Sequence, residues 1–129
     1  MRLWHVSLIE YLPRQQLLGQ HRECCGLRGK GWGKQHATVN YVFKYSPVML
    51  YKFHLLVIKE MERRGYHADK LWLDYNYRGK VLGYADYNMK GLVLEKYPEH
   101  DQKYFAECVD NLRGKGIVRG SENRLFVKK

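Results

Sequence analysis

Residues 46–65 read SPVMLYKFHLLVIKEMERRG, and this stretch decides the fold. Ser46 is a suitable helix N-cap and Pro47 suits the first helical turn, whereas Gly65 provides a C-terminal stop. The apolar residues between them spread around nearly the whole helix circumference, a pattern typical of a helix buried on most sides. The clear polar stripe comprises Lys52, Lys59 and Arg63. The sequence therefore predicts a central buried helix from Pro47 to Arg64.

A second helix is predicted to begin at Pro13 and to run to about Gly26. At about 100° per residue, its apolar stripe comprises Leu17, Leu18, His21, Cys24 and Cys25. The opposite, polar side comprises Gln15, Gln16, Gly19, Gln20, Arg22, Glu23 and Gly26. Because glycine lowers helix stability relative to alanine, two interpretations of its glycines stay open. Either they mark helix breaks, or they let a ligand or another backbone approach beside Arg22 and Glu23.

A third helix is predicted from Pro98 to Gly114, with Glu99 and Asp101 in its first turn, where the helix dipole favours acidic residues. Its buried stripe comprises Tyr104, Phe105, Cys108, Val109 and Leu112. Residues 66–97 are rich in tyrosine and glycine and predict irregular structure with a short hairpin. The expected fold is mainly α: a single compact domain over residues 1–129, with about three helices and aromatic- and glycine-rich connections.

Size and composition exclude several classes of protein. A chain of 129 residues with 45% hydrophobic content is large enough for one well-formed core. It contains no apolar run of eighteen residues, which excludes a transmembrane helix. Its first residues lack the apolar stretch of a signal peptide, so we expect a cytosolic protein with reduced thiols.

The net charge of +10, from 23 basic and 13 acidic residues, lies mostly at the two ends. Residues 1–34 carry six basic and two acidic residues (+4), and residues 113–129 carry six and one (+5). This excess predicts a polyanionic partner, with nucleic acid first and an anionic membrane second. A membrane-surface protein is the weaker alternative, because no predicted helix combines a basic face with an exposed apolar face. A basic protein with no such partner remains a further alternative.

Residues 26–34 read GLRGKGWGK and predict a glycine-rich basic loop. The segment is neither a P-loop nor a dinucleotide fingerprint, because it lacks the Gly-Lys-Ser/Thr ending and a preceding strand. Its cations (Arg28, Lys30, Lys34) suit contact with phosphates, and Trp32 suits stacking on nucleic acid. A merely solvated loop is the alternative.

Familiar catalytic and metal-binding patterns are weak. Adjacent Cys24 and Cys25 cannot comfortably chelate one tetrahedral ion, and the six histidines are scattered without a His-x-x-x-His pair. We therefore expect no metal and no cofactor. Both cysteines lie on the predicted apolar stripe, which favours inert core thiols over nucleophiles. Attention moves to Glu23 on the polar face and to the chain start.

The chain start resembles the phage-type pyrimidine-dimer DNA glycosylases. The resemblance comprises Arg2-Leu3-Trp4-His5-Val6-Ser7-Leu8-Ile9-Glu10, then Leu12, Gln15, Leu17-Leu18 and Arg22-Glu23. It resumes at His36-Ala37-Thr38 and continues to Arg63-Arg64-Gly65-Tyr66. It is thin around residues 77–79 and ends by about residue 112, so roughly half of the chain is covered. The ordered set, not any single motif, carries the similarity.

The resemblance implies combined glycosylase and abasic-site lyase activities without a cofactor. In that family the nucleophile is the α-amino group of the N-terminal residue, assisted by a glutamate on the first helix. Carried over by position, the amine belongs to Met1 and the carboxylate to Glu23. The bulky Arg2 favours retention of Met1, and an α-amine, with an ordinary pKa of about 7.7–8.0, is far more often neutral at pH 7 than a lysine.

The resemblance also implies a substrate, double-stranded DNA with a damaged or abasic nucleotide, with pyrimidine dimers first. The DNA-binding residues expected from it and from the basic loop are Arg2, Arg22, Arg28, Lys30, Lys34 and His36. We expect a monomer and no membrane partner. The aromatic C-terminal segment that helps the phage enzymes hold damaged DNA has no counterpart here. A non-catalytic nucleic-acid-binding module, or the same imine chemistry on another modified base, are the alternatives.

Overall fold

A computed structural model of the chain describes residues 2–30, 32, 39–85 and 93–114. Its helices are α1 (Arg14–Arg28), α2 (Pro47–Arg63) and α3 (Gln102–Gly114). Short 3-10 turns lie at Val6–Tyr11, Asn40–Lys44 and Lys70–Leu73. Within these described ranges there is no strand, and β pairing is limited to one isolated antiparallel bridge, between Tyr77 and Tyr84. The mainly α prediction with three helices is confirmed.

Helix α2 follows the sequence prediction closely. The hydroxyl oxygen of Ser46 accepts a hydrogen bond from the backbone N–H of Val48 at 3.1 Å, and Pro47 is the first helical residue. The helix ends at Arg63, one residue before the predicted end, and Gly65 has a φ of +90°, a left-handed conformation that favours glycine. The buried residues of α2 are Met49, Leu50, Phe53, His54, Val57, Ile58, Glu60 and Met61.

Helix α1 is longer than predicted and its buried face is rotated. It runs through Gly19 and Gly26 without interruption to Arg28, so the interpretation of these glycines as helix breaks is wrong. Its buried residues are Leu17, Gln20, Cys24, Leu27 and Arg28. Gln20, predicted on the polar side, is only 2% exposed. The prediction failed because buried glutamine and arginine side chains can bond the backbone of other segments, and periodicity does not detect this.

Helix α3 begins at Gln102, four residues after the predicted start. The Asp101 carboxylate accepts a hydrogen bond from the backbone N–H of Tyr104 at 2.9 Å, which caps the helix N-terminus. Glu99 lies outside the helix, where it accepts hydrogen bonds from the Tyr45 hydroxyl at 2.9 and 3.0 Å. The acidic pair therefore precedes the first turn.

The predicted hairpin is present as a tight reversal around the Tyr77–Tyr84 bridge. The backbone N–H of Arg78 donates to the carbonyl of Gly83 at 2.8 Å. The hairpin is packed on the end of α1, since a Cβ built on Gly29 would lie 2.8 Å from the Arg78 carbonyl oxygen. This distance admits glycine but no larger residue without a shift of the backbone, so Gly29 permits the close approach.

The chain start is part of the core. Leu3 is fully buried, and Trp4 and His5 are 7% and 5% exposed. His100, before α3, accepts a hydrogen bond on Nδ1 from the backbone N–H of Val6 at 3.1 Å. Its Nε2 lies 2.5 Å from the hydroxyl of Tyr41. Because Nδ1 accepts, the neutral ring carries its proton on Nε2 and donates it to Tyr41.

Burial of histidines predicts a loss of stability in mild acid. Burial lowers the pKa of His100 to about 3 and that of His54 to about 2, against about 6.5 in the unfolded chain. The unfolded state therefore binds more protons below pH 6.5, and stability falls as the pH drops. Each such histidine contributes up to about 1.4 kcal/mol per pH unit. Thermal or urea unfolding between pH 7 and pH 5 measures the slope.

The matched control uses the exposed His67. His100→Gln is expected to flatten the dependence of unfolding free energy on pH, whereas His67→Gln leaves it as in the parent protein. An unchanged slope in folded His100→Gln would contradict the assignment of His100 as a buried neutral group.

Candidate active site and nucleic-acid interface

The backbone of residues 2–4 is held against α1 by Gln20. The Gln20 side-chain Oε1 accepts a hydrogen bond from the backbone N–H of Trp4 at 2.6 Å. Its Nε2 donates to the carbonyl oxygen of Arg2 at 3.1 Å. On the other side, the hydroxyl of Tyr104 in α3 donates to the carbonyl of Leu3. Three hydrogen bonds thus join the chain start to two helices.

Arg2 itself lies between aromatic rings. Its guanidinium carbon is 5.7 Å from the centre of the Trp4 ring and 5.8 Å from that of Tyr104. Its Nη1 also lies 3.8 Å from the Sγ of Cys108. These cation–π contacts hold the half-buried Arg2 side chain near α3.

The polar side of α1 combines two small residues with an Arg-Glu pair. Gly19, Arg22, Glu23 and Gly26 are spaced i, i+3, i+4 and i+7, so they share one helix face. A Cβ on Gly26 would meet nothing within 4 Å, and one on Gly19 would lie 3.7 Å from Arg22 Nη2. Arg22 is exposed and Glu23 half-buried, with its Oε2 shielded from solvent. The small residues keep the helix backbone approachable beside this pair.

The prediction that Arg28 contacts DNA from a loop is wrong. Arg28 is the last residue of α1 and only 1% exposed. Its Nη1 and Nη2 donate to the carbonyl oxygens of Trp72 and Asp74, each at 2.8 Å. Its guanidinium also packs over the rings of Tyr51 and Trp72, at 5.1 and 5.0 Å. Burial of this cation is tolerated because the carbonyl oxygens and the aromatic faces replace the water that would otherwise solvate it.

A cluster that the sequence did not reveal lies beside Arg28. His21 Nδ1 and His54 Nε2 are 2.8 Å apart, and Cys25 Sγ lies 3.9 and 4.0 Å from these two atoms. Their ligand atoms are close enough to be considered for a metal ion. The pattern was missed because His54 comes from α2, while His21 and Cys25 are one turn apart on α1.

The order of protons in this cluster argues against a metal centre. Arg28 Nη1 is 2.9 Å from His54 Nδ1, and a guanidinium is only a donor. The neutral His54 ring must then carry its proton on Nε2 and donate it to His21 Nδ1. That proton occupies the position that a metal ion would need. Burial also raises the pKa of the Cys25 thiol to about 12, so the thiol is protonated at neutral pH in this arrangement. We assign the cluster as a hydrogen-bond chain from Arg28 through His54 to His21.

The remaining predicted site residues fall in or near the basic loop. Lys30 is exposed. Trp32 is half-buried and packs edge-on against Phe43, with ring centres 4.9 Å apart. It therefore packs against the core, and its stacking on nucleic acid stays a prediction. Met1, Lys34 and His36 lie outside the described residues.

Comparison with protein families assigns the chain to the DNA-repair glycosylases. Residues 1–74, which include α1 and α2, match the family model described as pyrimidine dimer DNA glycosylase. Because the match covers more than half of the 129 residues, the chain belongs to this family, as the resemblance predicted. Membership implies pyrimidine dimer DNA glycosylase function and a damaged-DNA substrate. Neither a curated protein nor a solved structure gives a significant match.

Among the described residues, no helix has the length and apolar content needed to span a bilayer.

The corrected role of Arg28 predicts a stability defect. Arg28→Met keeps the apolar stem but removes the donors to the Trp72 and Asp74 carbonyls, so we expect a loss of about 3 kcal/mol in unfolding free energy. The matched control, Lys30→Met at an exposed position, should change it by less than about 0.5 kcal/mol. Urea denaturation followed by circular dichroism measures both. Equal stabilities of the two variants would contradict a structural role for Arg28.

Proposed function

We propose that this protein removes pyrimidine dimers from DNA and then cleaves the strand, using the α-amine of Met1 as nucleophile and Glu23 as the assisting carboxylate. The observation that carries the proposal is the attachment of Arg2 to α1 through Gln20, one helical turn from Glu23. Family membership over residues 1–74 supports the same reaction.

Simple chain geometry favours this pairing of Met1 and Glu23. Gln20 and Glu23 are three residues apart on α1, a rise of about 4.5 Å, and they therefore occupy adjacent positions on its surface. A residue spans at most about 3.6 Å of extended chain. Since the Arg2 carbonyl is bonded to Gln20, the α-amine is tethered within two residue lengths of this point. Glu23 is the carboxylate on the nearest turn of α1.

The proposed reaction begins with glycosidic bond cleavage. The neutral amine attacks C1′ of the damaged nucleotide, the C1′–N bond breaks, and its electron pair leaves with the base, which takes up a proton. The Glu23 carboxylate stabilises the positive charge that develops on the sugar. Its half-buried position strengthens this interaction relative to water.

Strand cleavage follows from the same covalent link. The sugar ring opens as its oxygen takes a proton, which leaves an iminium between C1′ and the α-nitrogen. Loss of a proton from C2′ then expels the 3′ phosphate by β-elimination. Glu23 is suited to move protons in both steps. Hydrolysis of the imine releases the amine for another turnover, so the cycle uses only water as co-reactant.

The proposed DNA contacts follow the cations that the described structure leaves accessible. Exposed Arg22 and Lys30, with half-buried Arg2, suit phosphate contacts on either side of Glu23. Lys34 and His36 remain proposals on the strength of the basic loop and of the resemblance. Arg28 is excluded from this set because its guanidinium is buried.

Borohydride trapping tests the covalent mechanism. Sodium borohydride should reduce the imine on abasic or dimer-containing duplex DNA and leave a stable protein–DNA adduct. The first lysine of the chain is Lys30, so residues 1–10 contain no lysine. After cleavage at glutamate, an adduct on the peptide 1–10 therefore identifies the α-amine. Intact mass and N-terminal sequencing establish in advance that Met1 is present and free. An active protein without an adduct on this peptide would refute the mechanism.

Glu23→Gln tests the assisting carboxylate. We expect strand cleavage to fall by at least about a hundredfold, while binding to damaged DNA is kept or tightened because a negative charge is removed. The matched control is Glu10→Gln, at an exposed position, and it should retain parent activity. Full cleavage by folded Glu23→Gln would instead favour a different carboxylate or a non-catalytic role for this one.

Arg22 offers an electrostatic test of the interface. Arg22→Met should weaken binding to damaged and undamaged duplexes alike and reduce the slope of log K against log salt by about one. Fluorescence anisotropy at several salt concentrations measures the slope. The exposed Arg63 on α2 provides a matched Arg63→Met control, and an equal effect at both positions would contradict a local contact at Arg22.

A further inference from the structure

We propose that Gln20 is a positioning residue for the N-terminal amine and that, together with Tyr104, it forms a clamp that determines where the amine meets the sugar. This inference rests on the proposed function. The clamp comprises Gln20 and Tyr104 and acts on the backbone of residues 2–4.

The geometry of Gln20 is that of a strand partner. Its Nε2 bonds the carbonyl of residue 2 and its Oε1 bonds the N–H of residue 4. A residue in a parallel sheet bonds its neighbour in the same way, to positions on either side of the residue opposite. A single side-chain amide thus acts as one residue of an adjacent strand. Since glutamine supplies both a donor and an acceptor, it suits this role better than a carboxylate or a hydroxyl.

Tyr104 completes the clamp from the opposite side. In an extended chain, the carbonyl of residue 3 points away from the carbonyl of residue 2. It is this Leu3 carbonyl that accepts the Tyr104 hydroxyl. Burial raises the pKa of Tyr104, so the hydroxyl keeps its proton and remains a donor. Consecutive backbone groups are therefore fixed from both α1 and α3.

Burial shows that this arrangement does more than cap loose polar groups. Gln20 is only 2% exposed and lies on the face of α1 that also buries Leu17 and Cys24. A polar side chain at such a position costs stability unless it is fully bonded. An apolar residue would fill the space as well, so fixing the Arg2–Trp4 backbone is the distinctive contribution of the amide.

The expected functional consequence is positional. A terminal residue ordinarily frays, whereas nucleophilic attack requires reacting atoms about 3–3.5 Å apart in a defined orientation. Holding the backbone of residues 2, 3 and 4 removes most of the conformational freedom that would otherwise let the α-amine occupy many positions. The clamp should therefore increase the rate of imine formation and have little effect on the affinity for DNA.

The test compares Gln20→Met with Gln15→Met, an exposed position on the same helix. Met has a similar length and no hydrogen bonds to offer. Each variant is mixed with abasic duplex at saturating protein, and borohydride trapping gives the single-turnover rate. Anisotropy gives the affinity, thermal unfolding gives the folded fraction, and peptide mapping gives the site of the adduct.

The proposal expects Gln20→Met to lower the trapping rate by at least about tenfold, with affinity within about threefold of the parent protein. It also expects adducts to spread from the peptide 1–10 to lysine-containing peptides. Gln15→Met should match the parent in all measurements. A folded Gln20→Met with parent trapping rate and adduct site would overturn the proposal, as would equal losses of rate and affinity.

Tyr104→Phe keeps the inference testable if Gln20→Met does not fold. It removes only the hydroxyl that donates to Leu3 and leaves the ring beside Arg2, so it should lower the trapping rate with affinity unchanged. An unaltered rate in this variant would count against the clamp. These outcomes differ from failure of the proposed function, in which the parent protein itself forms no adduct on peptide 1–10.

Discussion

The buried guanidinium of Arg28 is the interaction on which most of the observed arrangement depends. It lies at the C-terminus of α1, where the helix dipole favours a cation, and it bonds the carbonyls of Trp72 and Asp74. It also fixes the tautomer of His54 and, through it, joins α1 to α2. One side chain therefore joins two helices and the 70–74 segment, which contains the 3-10 turn Lys70–Leu73. Removing this donor leaves the Trp72 carbonyl and His54 Nδ1 without their buried hydrogen-bond partner, which costs stability.

Helix α1 uses a second polar residue, Gln20, for the same purpose near its middle. Arg28 holds the 70–74 segment and Gln20 holds residues 2–4, while the residues between them are packed as an ordinary apolar face. Glu23 lies one turn from Gln20, half-buried at the edge of this face, and Arg22 lies on the exposed side of the helix. The same helix thus carries the residues that hold the fold together and, directly beside them, the residues of the proposed chemistry. A displacement of α1 would disturb both the packing of the fold and the proposed site. The position of this helix is therefore the most tightly constrained in the structure.

The sequence predicted α2 well because its limits are set locally. Ser46 and Pro47 define the start through a cap and a fixed φ, and Gly65 provides the stop. The start of α3 was predicted too early because Pro98 suits the first turn of a helix. In the structure, His100 instead forms hydrogen bonds with Val6 and Tyr41. Such tertiary bonds leave no signature in local sequence.

The candidate site was predictable to a different extent. Arg22 and Glu23 were identified on the polar side of α1, where the structure has them, because i, i+3 and i+4 spacing is a local property. Gln20 and Arg28 were misassigned, since a polar residue on a buried face is recognised only when its bonding partners are known. Those partners lie 16 and 44 positions away along the chain. The His21–His54 contact was missed for the same reason.

The burial of Leu3, Trp4 and His5 also determines how the protein responds to cleavage at the chain start. In most domains the terminal residues are dispensable, so trimming by an exopeptidase leaves a folded molecule behind. Here the loss of a few residues would remove core side chains and the backbone groups that Gln20 and Tyr104 bond. A chain trimmed past Leu3 would therefore be less stable. Loss of Met1 alone would leave these contacts in place, so the fold opposes only deeper trimming of the chain start.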